Sequence, residues 1–163
     1  MATYTVRRAT LADADVLVDH RVRMFEDMGV LAMPGASRER LAHEFRAWLA
    51  DMMAADTYLA WLVEARNAED SPGIVAGAGA TIIPWPPGPF YSSGRLAFVY
   101  NVYTEPAHRR RGLGRLVMDA VHAYCREHGI TSVALNASPS GQPLYEGMGY
   151  NVARSPMMFL SLD

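Results

Sequence analysis

Apolar residues recur along the chain with two periods, and these periods predict alternating helices and strands. Helical spacing from Leu11 to Met28 predicts a first helix, which Thr10 and Asp13 cap and Gly29 ends. A second helix is predicted after the capping residue Ser37. Its apolar stripe consists of Leu41, Phe45, Trp48, Leu49 and Met52. Two helices are therefore expected between the first and the second strand.

Extended apolar runs predict the strands, and two later segments predict further helices. The predicted strands cover residues 4–8, 58–66, 74–83, 96–103, 132–136 and 156–162. One helix runs from Leu113 to a stop at Gly129, and a short one covers residues 141–148. The order β-α-α-β-β-β-α-β-α-β predicts an α/β (α+β) fold in a single domain that spans residues 1–163.

The stretch NVYTEPAHRRRGLGR, residues 101–115, carries the clearest chemical signal. Its pattern predicts the end of a strand, a basic turn and the first turn of a helix. A helix N-terminus has unpaired N–H groups and the positive end of the helix dipole. Gly112 and Gly114 have no side chain that would keep a ligand away from the backbone. The expected ligand is therefore a phosphate or a pyrophosphate.

Two common anion-binding loops do not fit this stretch. A P-loop needs Gly-Lys-Ser/Thr, which is missing, and a dinucleotide fingerprint needs a third glycine where Val117 stands. The remaining pattern, Arg109-x-x-Gly112-x-Gly114, resembles the coenzyme A loop of the GNAT superfamily of N-acetyltransferases. Residues 143–150, PLYEGMGY, are similar to the short tyrosine-bearing helix of that family.

The resemblance implies a mixed, mostly antiparallel central sheet of six to seven strands, flanked by about four helices. It also implies an enzyme, an N-acetyltransferase that uses acetyl-CoA as co-substrate, with no metal. Main-chain amides of the loop would bind the pyrophosphate, and Arg110 or Arg115 would meet the 3′-phosphate. The residues implied in coenzyme A binding are Val102, Tyr103, Thr104, Arg109, Arg110, Arg111, Gly112, Leu113, Gly114, Arg115, Asn136, Ser138 and Tyr145.

The catalytic roles follow from the needs of acyl transfer from a thioester to an amine. By resemblance, the N–H of Val102 would stabilise the oxyanion, and Tyr145 would protonate the departing thiolate. The family often places a glutamate on the fourth strand as general base, whereas residues 94–104 contain no carboxylate. Glu26 is the first choice for that role. His20, Asp27, Glu105 or a chain of waters remain alternatives.

Composition limits the classes of function. The 163 residues are half hydrophobic and carry a net charge of −2, which argues against a general nucleic-acid binder. No secretory signal and no membrane-spanning apolar run are evident, and the single Cys125 excludes an internal disulfide. A cytoplasmic location is expected.

The sequence is also compatible with two other functions. The chain could sense acyl-CoA without turnover, or it could bind an anion or nucleic acid through residues 109–111. The acceptor is expected to be a small-molecule amine, and a homodimer is the default oligomer. Residues 84–91, PWPPGPFY, would form a wall of the acceptor site, a dimer contact or a rigid hairpin tip.

Overall fold

A computed structural model describes residues 3–66, 73–89 and 92–162, which form five strands and four α-helices. The strands are β1 (Thr3–Arg8), β2 (Tyr58–Arg66), β3 (Gly73–Pro84), β4 (Arg95–Thr104) and β5 (Val133–Leu135). The helices are α1 (Ala14–Asp27), α2 (Arg38–Ala54), α3 (Leu113–Glu127) and α4 (Gln142–Glu146). The α/β class is confirmed.

The five strands form one sheet in the order β1-β2-β3-β4-β5. The first three pairings are antiparallel, and β4 pairs with β5 in parallel. An antiparallel neighbour needs only a short turn, whereas the parallel step from β4 to β5 needs a crossover, and α3 supplies it. The sheet is therefore mostly antiparallel, as the resemblance implied.

Helices cover both faces of the sheet, because side chains alternate along each strand. In β2, Tyr58, Ala60 and Leu62 pack against α1 and α2. Leu59, Trp61 and Val63 point the other way, towards α3. The apolar residues of α3 that complete this second core are Leu113, Val117, Met118, Val121 and Cys125. The sheet thus separates two hydrophobic cores.

The predicted capping residues of the first half are confirmed, although Thr10 and Asp13 cap a 3-10 turn, Leu11–Asp13, that leads into α1. The Asp13 carboxylate accepts the amide N–H of Thr10 at 2.8 Å. Ser37 Oγ accepts the amide N–H of Arg40 at 3.2 Å, at the start of α2. Gly29 adopts the left-handed conformation (φ +72°) directly after α1, which glycine reaches without steric cost.

The small residues of β3 allow close packing on both faces. On one face Ala76, Ala78 and Ala80 lie in the core that contains α3. On the other face the Tyr58 ring lies over Gly79, where an added Cβ would stand 1.8 Å from the Tyr58 hydroxyl oxygen.

The predicted number of strands is wrong. In the described part of the chain there are five strands instead of six to seven, and residues 156–162 do not form the last strand that the sequence predicted. Residues 151–162 are exposed throughout, including apolar side chains such as Met158 and Phe159. A strand needs a partner edge, and β5 has only three residues, while Pro156 lacks a backbone donor. The predicted order therefore loses its final strand.

The proline-rich segment, residues 84–91, is only partly described. Trp85 is half-exposed, and its amide donates to the carbonyl of Gly94 at 3.0 Å, which closes the turn between β3 and β4. Phe90 and Tyr91 of the proline-rich segment lie outside the described residues. In the described ranges, no helix has the length and apolarity to cross a membrane.

Candidate functional site

Strands β4 and β5, at one edge of the sheet, separate part of the way along β4. They pair only at Ala97–Val133, Phe98–Ala134 and Val99–Leu135. Beyond these pairs β4 continues for five residues to Thr104, whereas β5 ends at Leu135. The residues of β4 that follow Val99 therefore have no β5 partner, and this edge of the strand is open to a ligand.

A bulge lies in the same part of β4. Gly79 pairs with Tyr100 and Gly77 pairs with Tyr103, so that two residues of β4, Asn101 and Val102, stand opposite the single residue Ala78. Asn101 has φ +56°, a left-handed conformation that asparagine tolerates better than most residues. In these registers Asn101 and Val102 are paired with neither β3 nor β5. The Val102 residue of the predicted site is thus at the open edge.

The Asn101 side chain belongs to a network that connects three elements. Its amide nitrogen donates to the Tyr58 hydroxyl at 2.9 Å, and its oxygen accepts Nη1 of Arg21 at 2.5 Å. Burial raises the pKa of Tyr58 to about 12, so its hydroxyl is protonated. This Arg21–Asn101–Tyr58 network fixes the bulge from the face that α1 and α2 cover.

The basic loop follows β4 and ends at the N-terminus of α3. A 3-10 turn, Pro106–His108, is followed by Arg110 and Gly112 in left-handed conformations (φ +58° and +79°). The helix starts at Leu113, and its first intrahelical bond runs from the Leu116 amide to the Gly112 carbonyl at 3.0 Å. The amides of the first turn therefore have no helical acceptor, as an anion site requires.

The arginine side chains of the loop have different roles in the structure. Arg109 donates from Nε to the Thr104 carbonyl at 2.9 Å and from Nη2 to Asp27, which ties the loop to β4 and to α1. Arg111 donates to the Tyr4 hydroxyl at 3.1 Å. Arg109 and Arg111 are therefore held by the protein itself.

Of two further arginines, Arg115 has a hydrogen-bond partner and Arg110 has none among the described residues. Arg115 donates to the carbonyl of Gly147 at 3.0 Å and so connects α3 to the end of α4. Arg110 is exposed and has no hydrogen-bond or ion-pair partner among the described residues. Gly114 packs tightly, because an added Cβ would lie 3.0 Å from Leu144. The loop thus presents backbone amides and one free guanidinium.

Tyr145 lies on α4 at the second core and has only 8% of its surface exposed. Its ring packs edge-on against Tyr150 at 5.7 Å, and Tyr150 in turn lies within hydrogen-bond distance (2.7 Å) of His122. The described residues provide no hydrogen-bond partner for the Tyr145 hydroxyl. Burial raises the pKa of Tyr145 above its ordinary value, so the phenol keeps its proton at neutral pH.

An open cleft of about 1260 Å³ runs along β5 between α3 and α4, and Tyr145 and Asn136 are among its lining residues. Asn136 is exposed directly after β5. Ser138 Oγ accepts the Gly141 amide at 3.2 Å, a contact that begins the turn into α4. The structure thus brings Asn136 and Tyr145 to one cleft, whereas Ser138 has a local structural partner.

The candidate general bases are engaged in other contacts. Glu26 pairs with Arg38 of α2, on the exposed side of α1. Glu105 pairs with Arg23 at 2.5 Å, and Asp27 holds Arg109. Each of these carboxylates therefore has a cation as its direct partner.

His20 is buried with 2% of its surface exposed, beside Tyr103. Its Nε2 lies 3.6 Å from Glu105, which is too long for a hydrogen bond, and both ring nitrogens are buried without a hydrogen-bond partner. Burial is the main cause that lowers the pKa of His20 to about 4. The side chain is therefore neutral at physiological pH and belongs to the core of this face.

Sequence reasoning missed Arg21 and Tyr58. Arg21 follows Leu17 and Val18 at helical spacing and precedes Phe25 by one turn, so it interrupts the apolar stripe of α1. An arginine on the buried side of a helix is the signal that was available. Nothing in the sequence links it to Asn101, which is 80 positions away.

Candidate metal-ligating side chains do not cluster in the described ranges. No group of three or more histidine, cysteine, aspartate or glutamate side chains lies close enough together there to hold a metal ion.

Comparison with known proteins identifies close structural relatives. A GCN5-related N-acetyltransferase from Ralstonia eutropha JMP134 is 28% identical, with a TM-score of 0.80 over 97% of this chain and 99% of that chain. A predicted acetyltransferase with acetyl-CoA from Clostridium acetobutylicum is 25% identical, with a TM-score of 0.81 over 97% and 96%. Glucosamine-6-phosphate N-acetyltransferase from Arabidopsis thaliana, 20% identical over 99% of each chain, shares the fold with a TM-score of 0.61.

No protein of the curated set matches the sequence. The model of the acetyltransferase (GNAT) family matches residues 22–150, which contain the C-terminal part of α1, the bulge of β4, the basic loop and α4. That match covers most of the chain and includes the basic loop and Tyr145. The chain belongs to the acetyltransferase (GNAT) family.

Proposed function

We propose that the protein is an acetyl-CoA-dependent N-acetyltransferase that moves the acetyl group directly to a primary amine of a small molecule. The observation that carries the proposal is the open edge of β4. Its unpaired residues, Asn101 and Val102, are followed along the chain by Tyr103, Thr104 and the loop that ends in the free amides of α3. When bound, acetyl-CoA supplies an activated acetyl thioester.

The residues of the loop fit the pyrophosphate of coenzyme A. The first-turn amides of α3 provide donors at the positive end of the helix dipole. The left-handed Gly112 turns the chain so that the loop stays open, since no atom lies within 4 Å of the position where its Cβ would be. In the proposal, these amides and others of residues 109–115 bind the pyrophosphate. The free Arg110 side chain binds the 3′-phosphate.

The bulge of β4 fits the reacting carbonyl. In the proposal, the N–H of Val102 stabilises the negative charge that develops on the carbonyl oxygen. Tyr103 and Thr104 continue the open edge towards the loop and bind the pantetheine amides by main-chain hydrogen bonds. A rigid bulge is useful here because a fixed donor does not need to reorganise during the reaction.

Tyr145 is the proposed general acid. Its phenol is protonated, its ring packs in the core, and its hydroxyl has no partner in the described protein. It therefore donates its proton to the thiolate that leaves when the C–S bond breaks. The amine that forms the new C–N bond loses its proton to water, because Arg38 already engages Glu26.

The test is amine-dependent thiol release from acetyl-CoA by wild type, Gly112→Glu and Tyr145→Phe. We expect Gly112→Glu to abolish release, because a carboxylate at the loop repels the pyrophosphate, and Tyr145→Phe to slow kcat at least about tenfold. Gly35→Glu is the control for the first change, since Gly35 is also exposed with φ +82° and open space at Cβ.

Tyr124→Phe is the control for the second change, because Tyr124 lies on α3 with its ring stacked on His128. Both control variants should retain wild-type rates. If the protein bound coenzyme A but released no thiol with any amine of a broad panel, it would be an acyl-CoA sensor and not a transferase. The absence of coenzyme A binding would overturn the assignment of the loop.

A further inference from the structure

Arg21 is a cation without a carboxylate partner. Its guanidinium lies against the rings of Phe45 and Phe25, at 4.6 and 5.0 Å. Nη1 donates to Asn101, while Nε is buried with no hydrogen-bond acceptor. Burial lowers the pKa of Arg21, which expresses the cost of keeping this charge out of water.

Other arginines of the two helices on this face are paired. Arg23 is bound by Glu105, Arg38 by Glu26 and Arg46 by Asp15. No ion pair joins Arg21 to a carboxylate of the described residues. Arg21 is partly buried, and a cation held partly out of water without a counter-ion is costly unless a ligand supplies the opposite charge. Arg21 therefore differs from its neighbours in a way that indicates a missing anion.

The position of Arg21 relates this missing anion to the reaction. Asn101, which Arg21 contacts, is the neighbour of Val102 in the bulge of β4. The guanidinium approaches the bulge from the side of α1 and α2, opposite to the core that contains α3. In the proposed function the loop and α3 hold coenzyme A, so the face of Arg21 is where the amine must enter.

We infer that Arg21 recognises a carboxylate of the acceptor, which makes the acceptor an amino acid or a similar amine that carries a carboxylate. This inference rests on the proposed function. A single guanidinium has a planar edge of two N–H donors that matches one carboxylate, and a monoanion balances its one charge. The aromatic rings on the guanidinium hold that edge in place, so little side-chain entropy is lost on binding.

The test compares an amino acid, its carboxamide and the aminophosphonate of the same chain length as acceptors for wild type and Arg21→Gln. The wild-type-to-variant ratio of kcat/KM is measured for each acceptor, so that differences in amine basicity cancel. We expect a ratio of at least about tenfold for the carboxylate, mostly through KM, and a ratio close to one for the carboxamide. Arg21→Lys should give an intermediate ratio.

A binding measurement supports the kinetics and does not depend on any variant. In the presence of coenzyme A, the free amino acid should raise the Tm of wild type, and the carboxamide should not. Arg46→Gln removes an exposed arginine of α2 and serves as the matched control, with wild-type ratios for all three acceptors. The affinity for coenzyme A and the Tm of Arg21→Gln show whether this variant is folded.

The outcomes separate the inference from the proposed function. Equal ratios for the amino acid and the carboxamide, or equal effects of the two on the wild-type Tm, would overturn the inference while thiol release continues. If the ratio were larger for the aminophosphonate than for the amino acid, Arg21 would recognise a phosphate-type acceptor. This result would also overturn the inference. Absence of thiol release with every amine would instead remove the proposed function, and this inference with it.

Discussion

The two glycines Gly112 and Gly79 belong to two parts of the site that are built in opposite ways. Gly112 has open space at Cβ but φ +79°, in a loop that presents main-chain amides. Gly79 has no unusual φ, but the Tyr58 ring fills the space where its Cβ would stand. The loop therefore depends on backbone conformation. The face that contains Arg21, Asn101 and Tyr58 depends on side-chain packing.

This difference predicts which changes each part tolerates. The loop should accept new side chains that keep its conformation and do not repel an anion. The Arg21–Asn101–Tyr58 network should reject changes of volume or hydrogen bonding, even when the backbone is undisturbed.

Gly79→Ala should produce the largest loss of stability. An added Cβ would lie 1.8 Å from the Tyr58 hydroxyl oxygen and 2.2 Å from the ring carbon that carries it, so the buried Tyr58 ring must move. We expect a loss of about 3 kcal/mol or more in the free energy of unfolding. Gly73→Ala is the matched control, because Gly73 is at the exposed end of the same strand with open space. Equal urea midpoints for the two variants would refute the packing argument.

The buried His20 should make the stability of the protein depend on pH. Its pKa is about 4 in the folded state and about 6.5 in the unfolded chain. Between these values the unfolded chain binds the proton and the folded protein does not. The free energy of unfolding should therefore fall as pH decreases from 6.5 to 4, by up to roughly 3 kcal/mol.

Urea titrations at several pH values measure this dependence, with His20→Gln and His43→Gln as the two variants. His20→Gln should flatten the slope between pH 6.5 and 4. His43 is exposed on α2, so its replacement should leave the slope unchanged. The same slope in His20→Gln as in wild type would show that another group titrates. The charged neighbours of His20 are Asp19, Arg23 and Glu105.

Tyr58→Phe should cost about 2 kcal/mol, since it leaves the buried amide nitrogen of Asn101 without an acceptor. The ring and its packing are kept, so the loss measures the hydrogen bond. Because Asn101 is part of the bulge, kcat should fall as well, while coenzyme A affinity stays near wild type. Urea unfolding and steady-state kinetics check both effects. A variant with reduced coenzyme A affinity and normal kcat would contradict the separation of the two parts.

The contrast also explains how much the sequence could predict. The loop and its helix lie within residues 101–127, so glycines, arginines and helical spacing indicate an anion site directly. Arg21, Tyr58 and Asn101 meet only through the packing of α1 on β2 and β4. No local pattern encodes such a contact. The sequence therefore predicted the basic loop and helix α3, and it missed the contacts of Arg21 and Tyr58 on the opposite side of β4.

The wrong prediction for residues 156–162 has a related cause. Residues 156–162 are an apolar run typical of a strand, and the prediction rested on that run alone. Strand formation also requires a free edge of suitable length, and β5 spans only Val133–Leu135. The existence of a partner edge is a property of the fold, whereas helix α3 satisfies its hydrogen bonds within its own segment.

Gly112→Ala should have a moderate effect that comes from conformation alone. Since no atom lies within 4 Å of the added Cβ, the cost is that of a left-handed alanine, about 1 kcal/mol. We expect coenzyme A affinity to fall about fivefold, as the loop shifts away from this conformation. Gly112→Asn should restore most of the affinity, because asparagine tolerates positive φ. If Asn and Ala behave alike in calorimetric titration with coenzyme A, conformation is not the reason for this glycine.

Arg110→Gln should have the smallest effect and should separate charge from structure within the loop. Arg110 is exposed without a partner in the described protein, so its removal should leave the urea midpoint unchanged. Coenzyme A affinity should fall about two- to fivefold at low salt and less at high salt, as expected for one exposed charge. Arg109→Gln is the contrasting variant, because Arg109 holds the Thr104 carbonyl and Asp27 and its loss should also lower stability. If Arg110→Gln destabilised the protein as much as Arg109→Gln, the loop would depend on side-chain contacts like the opposite face, and the contrast between the two parts would fail.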